Sequence, residues 1–123
     1  MKSKIGQFIL LCMTLIIISN CSRDKTPCAC GIENPQTNIE WLNYLLSKTF
    51  CAEVYSISYY NEEYIAISDC PRIVDGMTVV YDCSGNKVCE FGGLTSGSGC
   101  TIPDFWNYFE KNKRLIYVQD IKP

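Results

Sequence analysis

The 123-residue chain contains no histidine. That removes the side chain most often used as a general base near neutral pH, the commonest zinc ligand, and any Ser-His or Cys-His catalytic pair. Concentrated positive charge is missing too. The densest cations are those of Lys111–Arg114, so nucleic-acid binding has no electrostatic basis. The glycine-rich run 92–99 lacks the Gly-Lys-Ser/Thr ending of a phosphate-binding loop. Acidic residues are scattered, and the adjacent pair Glu62-Glu63 falls in a turn, where solvation accounts for it. These absences favour a non-enzymatic protein, with no catalytic residue, cofactor or metal expected.

A long hydrophobic run is also lacking. The apolar stretch Ile5–Ile18 covers 14 residues, whereas a helix spanning a bilayer core needs roughly 20. Behind the basic Lys2 and Lys4, this stretch reads as a cleaved signal rather than a membrane span. The segment that ends it, Ile18-Ser19-Asn20-Cys21, resembles a bacterial lipoprotein signal, with Asn20 where Gly, Ala or Ser is usual. The expectation is that residues 1–20 form the signal peptide and that Cys21 is acylated, for instance with palmitate. Residues 21–32 would then be a lipidated polar linker, and 33–123 a single globular domain. The expected location is the bacterial cell envelope, the outer membrane rather than the inner, with the membrane as a partner through the lipid.

Cysteine is what the chain has in abundance, nine in all. That count suits an exported protein in an oxidising compartment. Cys12 leaves with the signal and Cys21 carries lipid, which leaves Cys28, Cys30, Cys51, Cys70, Cys83, Cys89 and Cys100. An odd number allows at most three bridges and at least one unpaired thiol. Cys28-Ala29-Cys30 is a possible redox pair, although thioredoxin-like sites put two residues between their cysteines. The alternative is that one or both bridge back to the domain. Cys28 and Cys30 with Cys83 and Cys89 could supply four soft ligands to zinc, but disulfides win in an oxidising space.

Asn34-Pro35 opens a helical segment, with the N-cap open between Asn34 and Thr37. Ile39, Leu42, Leu45 and Leu46 recur at helical spacing through about Lys48. From Ala52 the composition turns β-branched and aromatic. Strands are expected over 52–59, 64–69, 77–81 and 87–91, with a last edge strand over 115–119 and a short helix within 103–111. The fold class is therefore α+β: an N-terminal helix packed on a four- to five-stranded antiparallel meander sheet, stapled by disulfides. A hairpin turning near Tyr60-Asn61 brings Cys51 opposite Cys70. Gly85 sets a register that places Cys89 opposite roughly Val79, so either Cys83 or Cys89 reaches Cys100 rather than its neighbour.

Tyr55, Tyr59, Tyr60 and Tyr64 crowd the first hairpin. Cross-strand packing is one reading, and an exposed binding surface of Tyr59, Tyr60 and Tyr64 is the other.

The segments Glu33-Asn34-Pro35, Trp41-Leu42, Ala52-Glu53-Val54-Tyr55, the run from Val80 to Gly93 and Cys100 together carry a family likeness. Over about residues 33–105 the chain resembles small Bacteroidota lipoproteins that share a cysteine-containing domain of unknown function. The resemblance implies a lipid-anchored envelope location and a compact domain, and it assigns no site residue. Three functions are carried forward. The first is an interaction or ligand-binding module whose partner is an envelope protein or small ligand. The others are a thiol–disulfide protein using Cys28/Cys30 or a leftover cysteine, and an inhibitor of another envelope protein.

Overall fold

A computed structural model describes residues 21, 26–93 and 99–121. The expected signal peptide, most of the polar spacer and the centre of the glycine-rich loop lie outside the described residues. Two short strands, β1 (Cys28–Ala29) and β2 (Ile32–Glu33), lead into helices α1 (Pro35–Asn38) and α2 (Glu40–Ser47). Strands β3 (Ala52–Tyr59), β4 (Glu62–Asp69), β5 (Met77–Asp82) and β6 (Lys87–Gly92) follow. Helix α3 (Phe105–Asn112) and strand β7 (Arg114–Gln119) complete the fold. The described residues form a mixed α/β fold with a five-stranded antiparallel sheet in the order β6-β5-β4-β3-β7, a separate two-stranded sheet β1-β2, and four disulfides.

Strand alternation divides the core between the two faces of the large sheet. Val54 of β3 pairs with Ile67 of β4, and Ser56 with Ile65, so these side chains share one face. Helix α2 lays Leu42 and Leu46 on that face, where Ile39, Ala52, Val54, Ile65 and Ile116 are buried with them. The opposite face carries Ile57, Tyr64, Ala66, Val80, Cys89 and Phe91, and α3 covers it with Phe105 and Phe109. Phe105 and Phe109 are fully buried, their ring centroids 6.3 Å apart. Both faces are therefore covered by helix, where the sequence led us to expect one. Leucines at helical spacing mark α2 plainly, whereas α3 hides its apolar side among Asn, Tyr, Glu and Lys.

At the N-terminal end one further expectation needs correction and one open alternative is settled. The fold begins inside the expected linker: Cys28 and Ala29 are buried, because Ala29 packs into the α2 cluster and Arg114 binds the carbonyl of Cys28 at 2.6 Å. Of the two N-cap candidates Asn34 takes the position, without a side-chain cap bond, and Thr37 does not. Asn34 stands in the left-handed region before α1, Ile39 breaks the helix in an extended conformation, and α2 starts anew at Glu40. The hydroxyl of Thr37 instead donates back to the carbonyl of Asn34 at 3.1 Å.

The β5–β6 turn shows how one carboxylate fixes a loop. Asp82 accepts from the backbone N–H groups of Ser84 and Asn86, both at 2.9 Å, and from the Asn86 side chain at 3.0 Å. These bonds hold its carboxyl below the usual range, the Asn86 backbone bond foremost. Gly85 sits at φ +88° with the Trp41 ring directly over it.

Candidate binding site

The β3–β4 turn consists of two residues, Tyr60 and Asn61, at φ 45° and 62°. Positive φ at both central positions is the turn that matches strand twist, and Gly and Asn usually fill it. Tyrosine is an unusual choice there, because a bulky side chain resists the left-handed region. The strained position holds the Tyr60 ring out into solvent, 84% exposed.

The N-terminal end of α3 lies beside this tip. Tyr108 donates its hydroxyl to the carbonyl of Ser58 at 2.8 Å, which fixes the helix to β3. Tyr59 stands between its neighbours: its ring centroid is 4.5 Å from that of Tyr60 and 4.8 Å from that of Tyr108, with interplanar angles of 89° and 79°. The buried ring of Phe105 backs it at 5.3 Å. Tyr59, Tyr60, Tyr108 and Asp104 line a recess of about 370 Å³. Burial, then the neighbouring Tyr60, Asp104 and Tyr108, push the Tyr59 phenol up. Among the described residues the Asp104 carboxylate makes no hydrogen bond or ion pair.

The structure divides the three tyrosines of the expected surface. Tyr59 and Tyr60 meet in the recess, but Tyr64 is buried and lies outside it. Register explains the correction, since Tyr64 pairs with Ile57 and points under α3, where its ring packs 5.7 Å from Phe105. Its hydroxyl donates to Glu62 at 2.7 Å. Two residues of the recess, Asp104 and Tyr108, were missed in the sequence. The available signal was weak: a charged residue and a tyrosine flanking the apolar side of a short helix.

Each described cysteine has a bridge partner. Cys51 pairs with Cys70, one step beyond the Ala52–Asp69 register pair, with Cα atoms 5.6 Å apart. Cys89 pairs with Cys100. Cys89 lies opposite Val80, not Val79, because a bulge after Val80 shifts the register by one. Cys83 is carried to the α2 face and bonds Cys30, which separates Cys30 from Cys28. Cys28 bonds Cys21. The suggested Cys28–Cys30 redox pair is therefore not formed, and the four sulfurs of the zinc alternative go to three different bridges. A larger polar cleft of about 740 Å³ opens beside the first of these bridges, lined by Cys28, Ser56, Ser58, Tyr108 and Arg114 among others.

Fold and recess together define a small disulfide-stapled α/β domain that presents tyrosines at a hairpin tip. Residues 45–119 match a family described as a domain of unknown function (DUF6970), and the chain belongs to that family. The match takes in β7 at its far end and leaves out the N-terminal hairpin. No curated protein and no solved structure matches the chain.

Proposed function

We propose that this chain is a lipid-anchored protein of the bacterial cell envelope, akin to the Bacteroidota lipoproteins it resembles, whose folded part is a non-enzymatic binding module. The anchoring half of the reading rests on the basic start, the 14-residue apolar stretch and Cys21 behind Ile18-Ser19-Asn20. The binding half rests on one observation. Tyr60 is held in solvent by a backbone conformation that tyrosine resists, beside a recess with its own carboxylate. Strain of this kind costs on the order of 1–3 kcal/mol and clusters at sites of function. The frame is suited to such work, since a site on stapled strands stays pre-organised.

Both halves can be tested on the full-length chain in cells. Metabolic labelling with palmitate should mark the parent protein and leave Cys21→Ser unmarked, with the parent in the membrane fraction. A photo-crosslinking phenylalanine derivative at position 60, which keeps an aromatic ring in place of that of Tyr60, should give a discrete adduct with an envelope component. A soluble, unlabelled protein among reduced cytoplasmic proteins would remove the anchoring half, and absence of any adduct at position 60 would remove the binding half.

A further inference from the structure

We propose that the recess formed by Tyr59, Tyr60, Tyr108 and Asp104 binds a small organic ammonium group; the proposal rests on the binding-module reading above. Ring faces carry negative potential, and aromatic cages take ammonium groups through it, above all when methylation has weakened their hydration. Tyr60 and Tyr108 stand nearly perpendicular to Tyr59, at 89° and 79°. The rings thus meet edge to face rather than in a flat stack, all three line one recess of about 370 Å³, and Asp104 adds a formal negative charge to it.

The chain already uses this contact nearby. Lys113, just beyond α3, sits with its ammonium 4.9 Å from the Tyr55 centroid and 5.3 Å from that of Phe109. No cation of the chain occupies the faces of Tyr59, Tyr60 or Tyr108 among the described residues. The recess therefore offers, one turn of helix away, the environment that Lys113 fills for its neighbours, but without an internal occupant. The lining also argues for the charge of the ligand. The Tyr108 hydroxyl is committed to Ser58, and Asp104 places a carboxylate beside the three rings. A cation fits that lining better than an anion.

The test uses choline and its uncharged isostere 3,3-dimethyl-1-butanol, titrated into the purified mature protein and followed by NMR shifts of the tyrosine ring protons. Choline should shift Tyr59, Tyr60 and Tyr108 saturably, and the isostere should bind at least about tenfold more weakly. Tyr60→Asn should weaken choline by about threefold or more, matching the loss of one cation–ring contact. The same variant should leave the Tm unchanged or higher, because Asn accepts the left-handed turn. Asp104→Asn should weaken choline without changing the isostere. Phosphatidylcholine vesicles, compared with phosphatidylglycerol vesicles, report whether the same group on a lipid headgroup is taken; binding that depends on Tyr60 supports the ammonium class from either source. Equal binding of choline and isostere, shifts confined to other residues, or no binding overturns the proposal. If choline fails while the position-60 adduct persists, the ligand class falls and the binding face stands. If the adduct is absent as well, both fall.

Discussion

Cys21 and Cys28 are joined sulfur to sulfur, with their Cα atoms 5.7 Å apart. A sulfur in a disulfide cannot also hold a thioether to lipid, so this bond and acylation of Cys21 are alternatives. The expected seven mature cysteines and the four bridges among the described residues are reconciled by this one choice. In the acylated protein Cys30–Cys83, Cys51–Cys70 and Cys89–Cys100 remain, and Cys28 is the odd thiol. Cys28 is only 2% exposed, so it should react with an alkylating agent slowly in the folded protein and fully after denaturation. Mass spectrometry of the palmitate-labelled protein, alkylated before and after unfolding, should find one modified cysteine at position 28. Modification at Cys30 or Cys83 instead would contradict the pairing.

Gly85 and Trp41 form a second pair whose contact sets stability. A Cβ on Gly85 would lie 2.8 Å from the Trp41 ring, at a φ that side chains resist. The Trp41 indole N–H donates to the Cys83 carbonyl at 3.2 Å, and its ring packs 5.3 Å from Tyr81. Gly85→Ala must therefore displace Trp41 as well as strain the turn, and should cost about 2 kcal/mol or more. Trp41→Phe keeps much of the packing and loses one hydrogen bond, for a cost nearer ~1 kcal/mol. Urea unfolding of the two variants should rank them in that order.

Much of this sheet was legible because its strands are β-branched and aromatic, with turn residues between them. Cys51–Cys70 could be paired on paper since both cysteines flank one hairpin of even register. What escaped was whatever depended on a single residue of register or on contacts distant in sequence. The bulge after Val80 moved Cys89 by one position. The two-residue strands β1 and β2 carry no periodicity at all. Tyr64 is a sequence neighbour of Tyr59 and Tyr60, but pairing with Ile57 turns it inward. Tyr108 reaches the site across a separation of 50 residues from Ser58, which local pattern does not encode.

Arg114 holds the N-terminal hairpin to the sheet. One of its terminal nitrogens donates to the Cys28 carbonyl at 2.6 Å and to the Ser56 hydroxyl at 3.2 Å, and its Nε reaches the same hydroxyl at 3.3 Å. Ser56 is the buried polar side chain of β3. Arg114→Met would leave both acceptors unpaired, and an unsatisfied buried polar group costs about 1–3 kcal/mol. Hydrogen exchange should speed up most over residues 28–34, where the Asn34 N–H to Pro27 carbonyl bond closes the hairpin. Uniform acceleration across the whole sheet would mean that Arg114 supports the global fold rather than this hairpin.

Alkaline pH offers a test of the α3 face, because three of its phenols, Tyr55, Tyr59 and Tyr64, are pushed up, the first and last to about 12. Burial first, then donation to Glu53, pushes Tyr55 up to about 12. Donation to Glu62, then burial, raises Tyr64 to about 12 from an ordinary value of 10.0. Each group therefore binds its proton more tightly in the folded chain than in the unfolded one. The stabilisation they contribute is complete below pH 10 and declines as pH rises toward 12, where the folded-state phenols ionise. Chemical denaturation repeated across that window should show stability falling with pH, and Tyr64→Phe should flatten part of the slope. Asp82 works in the opposite sense. Its lowered carboxyl contributes stability above the ordinary aspartate range and loses it as the solution becomes acidic. Asp82→Asn should accordingly lower stability at neutral pH and weaken its dependence on acid, while leaving the alkaline slope as it was. A variant that altered both limbs together would show that the β5–β6 turn and the tyrosine face are coupled.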